Sequence, residues 1–157
     1  MSIKNNKGIT MISLVIVVVI MILLASITAY ESNELISIAR VQSVTTDLLL
    51  IQAKVRIINE KVIFENDKEN TELYVGDKLS NNVEILNKLK NKGVLTQDET
   101  GEKYYILSQS HLASMGLDTL SEEDGYIVNY ETEDVIYVKG VKNTEGKYLY
   151  KLSEMNP

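Results

Sequence analysis

GITMISLVIVVVIMILLASITAY, residues Gly8–Tyr30, decides how the rest of the chain is read. From Ile9 to Ala29 it carries no charged residue, no proline and no glycine. At a helical rise of about 1.5 Å per residue the run covers roughly 31 Å, the hydrocarbon thickness of a bilayer. Thr10, Ser13, Ser26 and Thr28 are its only polar side chains before Tyr30, and hydroxyls can return a hydrogen bond to the preceding helical turn. A segment in lipid must satisfy its own backbone, which selects a helix over the strand that the β-branched run Val15–Ile20 would otherwise favour. Lys4 and Lys7 precede the run and Glu31 and Glu34 follow it. That asymmetry predicts a single-pass membrane protein with a cytoplasmic N-terminus and an extracytoplasmic head from about Tyr30 onward.

The 157 residues leave one domain's worth of chain after the run. Cysteine is absent, so no disulfide framework, thiol nucleophile or thiolate metal site exists. The chain has 16 Lys and Arg against 22 Asp and Glu, a formal net charge of −6. Because every acidic residue follows the apolar run, the downstream part is the acidic part. Such a surface repels phosphate backbones, and no nucleic-acid partner is expected.

Beyond the run, Val41, Val44, Leu48, Ile51, Val55, Ile58 and Val62 recur at alternating spacings of three and four. They form one apolar seam along a helix, with Gln42, Thr45, Gln52, Arg56, Asn59 and Glu60 assigned to the watered side. Nothing between Tyr30 and Phe64 breaks a helix, so run and seam are expected to be one continuous element.

Three fates of the apolar run are open. It can be a signal peptide cut after Ala29, an uncleaved anchor, or the start of a prepilin. For the last, a short leader ends in Lys7-Gly8, Ile9-Thr10-Met11-Ile12-Ser13-Leu14 follows at once, and an apolar helix continues into an amphipathic one. In these features the chain resembles the type IV pilin and pseudopilin family. The resemblance implies cleavage after Gly8 by a prepilin peptidase, N-methylation of Ile9, and packing of Ile9, Thr10, Met11, Ile12, Ser13 and Leu14 in a filament. Its implied partners are other pilin-like subunits, the peptidase and the membrane. It implies a leader at 1–8, a transmembrane and filament-core helix at 9–30, and a globular domain at 31–157 that includes an amphipathic helix at 31–65. Two features depart from the family pattern. Ser13 stands where the family carries a glutamate at the fifth mature position, and the helix holds no proline or glycine breaker, since the only proline is Pro157. The alternative function is a membrane-anchored extracytoplasmic binding domain that never polymerises; a secreted domain beginning at Tyr30 is a third.

Asn66–Thr71 reads as the loop ending the long helix, and Glu72–Val75 as a short strand before the Gly76-Asp77 turn. A second helix is predicted from the cap Ser80, with Glu84 in its first turn, Val83, Leu86 and Leu89 on its apolar face and Gly93 closing it. Lys88, Lys90 and Lys92 suit its negative end. Lys103–Leu107 is a predicted strand and Ser110–Met115 a helical turn or two. A hairpin series follows through Tyr126–Tyr130, Val135–Lys139 and Lys147–Leu152. The sheet is expected to bury one apolar face, on the seam. The fold class is therefore α+β: a long N-terminal transmembrane-plus-amphipathic helix packed against a small antiparallel sheet, as the pilin resemblance implies.

Chemistry has little to build on. His111, the sole histidine, lies near Ser108, Ser110 and Ser114 without a nucleophile-elbow pattern, and reads as a capping or surface residue. Glu122, Glu123 and Asp124 with Glu131, Glu133 and Asp134 place six carboxylates around two turns; they lack the spacing of a calcium loop. Nine tyrosines stand beside one phenylalanine and no tryptophan. Tyr104, Tyr126, Tyr130, Tyr148 and Tyr150 fall in predicted strands, where an outward row would suit a glycan or another subunit and inward members would build core. No phosphate loop, dinucleotide fingerprint or metal-ligand pair occurs. No enzyme activity, cofactor or metal is expected.

Overall fold

A computed structural model describes the backbone of residues 7–64, 73–121, 123 and 125–155, and the side chains of these except 7–10, 12 and 27–33. The chain divides into two compact units, Met1–Ala39 and Arg40–Pro157. Helix α1 spans Lys7–Phe64. Residues 66–71, expected to form a loop, lie outside the described residues.

In the first unit the large apolar side chains at position 11 and from 14 to 24 are each 46–69% exposed. Ser26 donates to the Ile22 carbonyl at 2.8 Å, the back-bond that keeps a hydroxyl satisfied on an apolar helix. The expectation of a transmembrane helix, and with it the pilin-like fold class and the single-pass localisation, is corrected here. Among the described residues no helix is long and apolar enough to cross a membrane. What stands is an α+β chain with a five-stranded antiparallel sheet.

The second unit is three layers deep. Strands β1 (Asp77–Lys78), β2 (Tyr104–Leu107), β3 (Tyr126–Asn129), β4 (Asp134–Lys142) and β5 (Tyr148–Lys151) lie side by side in chain order, each antiparallel to the next. The C-terminal half of α1 covers one face. Leu48, Ile51 and Val55 are fully buried there against Tyr105, Leu107, Val128 and Val135, while Val41, Val44 and Ile58 are half-buried on the same core. Val62 is buried as well. The three-four spacing therefore marks the helix face that seats the sheet. Thr45, assigned to water by that pattern, is half-buried: its hydroxyl donates to the Val41 carbonyl at 2.7 Å and lies 3.6 Å from Met155 Sδ.

The opposite face of the sheet corrects the expectation of a single buried face. Helix α2 (Val83–Asn91) packs there through Leu86 and Leu89, with Leu79, Val94 and Leu95 beside them and Tyr104, Ile127, Ile136 and Val138 beneath. All four β3 residues are consequently buried, as a central strand covered on both sides requires. Asn82, not Ser80, caps α2 by accepting from the Ile85 N–H at 3.2 Å, and residues 79–81 form a 3₁₀ turn ahead of it. Val83, expected on the apolar face, is exposed; Ile85 is half-buried instead. No strand forms at 73–75, and residue 72 lies outside the described residues; β1 begins at Asp77, where a turn was expected. The short helix expected at 110–115 is α3 (Gln109–Ser114), and a final turn, α4 (Leu152–Met155), follows β5.

Candidate functional site

Gly8, Ile9 and Thr10 belong to the helical backbone of α1; their side chains, like that of Ile12, lie outside the described residues. Met11, Ser13 and Leu14 are exposed. Successive helical residues are turned by about 100°. The exposed set from Leu14 to Leu24 therefore covers the whole circumference of the helix. An all-round apolar helix is stable in water only when something covers it. Burying the exposed half of each such side chain contributes on the order of 1 kcal/mol per residue.

A second apolar surface escaped the sequence pattern. Leu49, Leu50, Ile57 and Phe64 are exposed on α1, Phe64 to 91%. Leu50 and Ile57 are seven residues apart and point away from the Leu48–Val55 seam. In the second unit α1 is therefore apolar on two sides, one occupied by the sheet. The signal was present in the sequence, but a seam drawn at one spacing hides its opposite.

The remaining candidates resolve into structure-building roles. Ser108 and His111 form a reciprocal cap on α3: the Ser108 hydroxyl accepts from the His111 N–H, and His111 Nδ1 accepts from the Ser108 N–H at 3.2 Å. The acidic hairpin is fastened rather than open. Glu133 meets Arg56 at 3.0 Å while its carbonyl accepts from Gln52 at 3.1 Å, and Glu131 meets Lys103 at 2.7 Å. Asp134 accepts from the Thr132 hydroxyl at 2.8 Å. Glu122 and Asp124 lie outside the described residues. Among the described residues no three His, Asp or Glu side chains gather as metal ligands.

Among the described residues the tyrosines form no outward row. Tyr104, Tyr105, Tyr126 and Tyr130 are buried, Tyr137, Tyr74 and Tyr150 half-buried, and Tyr148 exposed. Tyr74 stacks on Tyr130 with centroids 4.3 Å apart and planes 6° off parallel, and Tyr105 meets both edge-on at 5.7 and 5.4 Å. The Tyr130 hydroxyl donates to the Val75 carbonyl at 2.8 Å and accepts from the Val75 N–H at 3.0 Å. Burial pushes its pKa up to about 12, against the lowering effect of the Val75 hydrogen bond. Tyr104 is also raised to about 12, first by burial and then by the Glu99 carboxylate that accepts its hydroxyl proton. Beside the Tyr74–Tyr105–Tyr130 cluster opens a cleft of about 460 Å³ whose wall includes Asn59, Val62 and Ile63 of α1. Lys78, Glu102, Lys103 and Glu131 line it too. No sequence pattern announces it, because its residues come from four separate segments.

Comparison with family models, with curated proteins and with solved structures gives no match.

Proposed function

We propose that the chain is a type IV pilin-like or pseudopilin-like structural subunit that assembles through its N-terminal helix into a filament, either a pilus or a secretion pseudopilus. In this reading a prepilin peptidase removes residues 1–8 and Ile9 becomes the mature N-terminus. The observation that carries it is the exposure, on every side of α1, of the large apolar side chains from Leu14 to Leu24. The equivalent helices of further copies supply a cover of matching chemistry: Val, Ile and Leu surfaces interlock by shape, and each added copy buries apolar area without adding buried charge. The second unit offers an apolar stripe of its own for such packing, Leu50 and Ile57. Its neighbours Glu60 and Lys61 are exposed, and charges of both signs there can fix the stagger between copies.

Ser13 leaves the N-terminal amine without an acid at the position the family resemblance points to. Replacing Ser13 by Glu is expected to raise incorporation into filaments if that amine is otherwise unpaired; equal filament yield sinks the idea. Processing is tested by the intact mass of the protein isolated from cells that make it. A chain beginning at Ile9, with or without one added methyl, supports the reading. A chain beginning at Met1 or at Tyr30 contradicts it.

A further inference from the structure

The tyrosine-walled cleft is lined mostly by residues outside α1, and its chemistry is unlike the apolar surfaces of that helix. Its aromatic wall is pre-organised: Tyr130 is tied at its hydroxyl to both polar groups of Val75, and Tyr74 and Tyr105 are held against it by ring contacts. Above that wall stand two ion pairs, Lys78–Glu102 at 3.4 Å and Lys103–Glu131 at 2.7 Å. All four of these side chains are about half exposed or more, so their mutual attraction is weak and can be exchanged for a ligand's hydroxyls at little cost. Asn59, half-buried on the α1 side, brings an amide with both a donor and an acceptor.

Several ligand classes fit poorly. Two lysines balance two glutamates, so the rim selects neither an anion nor a cation. The three rings pack on one another at 4.3–5.7 Å and leave no gap between them for an ammonium group. The neighbouring edge strand β1 is two residues long, too short to template an added peptide strand. A neutral ligand remains, with one apolar face for the tyrosine wall and hydroxyls around its edge for ammonium, carboxylate and amide groups. A sugar ring has that form, and the cleft volume suits a unit of one or two rings.

We propose that this cleft is a binding site for a neutral saccharide, with Tyr74 as the stacking platform and Glu131, Lys103 and Asn59 as hydroxyl partners. The proposal does not rest on filament assembly and holds for a free or an assembled chain.

Saturation-transfer NMR on the full chain tests it, with maltose, cellobiose, lactose and N,N′-diacetylchitobiose as neutral probes. Tetramethylammonium and inorganic phosphate, followed by line broadening, serve as charged probes. The expected result is transfer to the ring C–H protons of at least one saccharide and no response from either charged probe. Tyr74→Phe is expected to keep the signal because the ring face is retained. Tyr74→Ala is expected to weaken binding about tenfold, the scale of losing a stacking contact. Since Tyr74→Ala also removes a packing partner of Tyr130, the exposed rim variant Glu131→Gln gives a second reading that leaves the fold untouched, with a several-fold loss expected. No transfer to any of the four saccharides overturns the proposal. So does transfer unaltered by both Tyr74→Ala and Glu131→Gln, or a response from a charged probe that no saccharide matches.

Discussion

Gly140 shows how much one missing Cβ can decide. It sits at φ +71°, inside the register shift that separates the Ile136 and Val141 pairings of β4 with β5. A Cβ built there runs into the Tyr150 ring. That ring also lies 4.9 Å from Lys92 Nζ, so a bulge, an aromatic ring and a lysine from the end of α2 are joined at one point. Gly140→Ala combines left-handed backbone strain with overpacking and is expected to cost about 2–4 kcal/mol, read as a lowered midpoint in urea unfolding. A midpoint within error of the parent would mean that Tyr150 has room to move. The raised tyrosines make a second prediction at this scale. Tyr104 and Tyr130 titrate near 12 when folded and near 10 when unfolded. Their protonated forms are thus favoured by folding. The stability they supply is intact below pH 10 and is lost as the pH rises from 10 through 12. Absorbance at the tyrosinate band, followed with denaturant midpoints over that range, is expected to show late-titrating tyrosines and falling stability together. Titration of all nine tyrosines in one step near 10 would contradict it.

At the scale of elements, α1 in the second unit presents two apolar sides with different duties. Leu48→Ala on the seam removes a fully buried side chain and is expected to destabilise the second unit by about 2–5 kcal/mol. Ile57→Gln on the opposite side is expected to leave urea stability within about 0.5 kcal/mol while lowering assembly, measured by pelleting. If Ile57→Gln unfolds the chain, the stripe is part of a core rather than a surface. The seam was legible because its residues, Val41 to Val62, keep a single period over about six turns. Its opposite was not, because Leu49 and Leu50 sit between the seam residues Leu48 and Ile51 and Ile57 sits beside Ile58, so the apolar run reads as part of the one seam. Strands β2 to β5 could be read from their β-branched and aromatic runs and the turns between them. The second buried face could not, since α2 is short and the step from Asn82 to Ile85 decides which of its residues turn inward. The cleft was invisible for a geometric reason: residues near 60, 75, 103 and 130 meet only once the sheet has formed.

For the whole molecule the governing fact is the division of labour between its two units. The second has a core of its own on both faces of a sheet, and its buried polar side chain, Asn129, is satisfied by shaping the hairpin, accepting from the Glu131 and Thr132 N–H groups at 2.9 and 3.3 Å. The first exposes what the second buries. The bilayer-spanning reading of residues 9–29 rested on the count of uncharged positions, whereas no helix among the described residues is long and apolar enough to cross a membrane; a partner helix is the proposed cover. The absence of cysteine makes that claim directly measurable. Pairs of cysteines placed between Leu14 and Leu24 in an otherwise unaltered chain should, on mild oxidation, give a ladder of disulfide-linked multimers that collapses on reduction. Control cysteines at Thr144, in the turn between β4 and β5, should leave monomers. Monomers at every α1 position, or a ladder of equal strength from Thr144, would contradict assembly through the N-terminal helix.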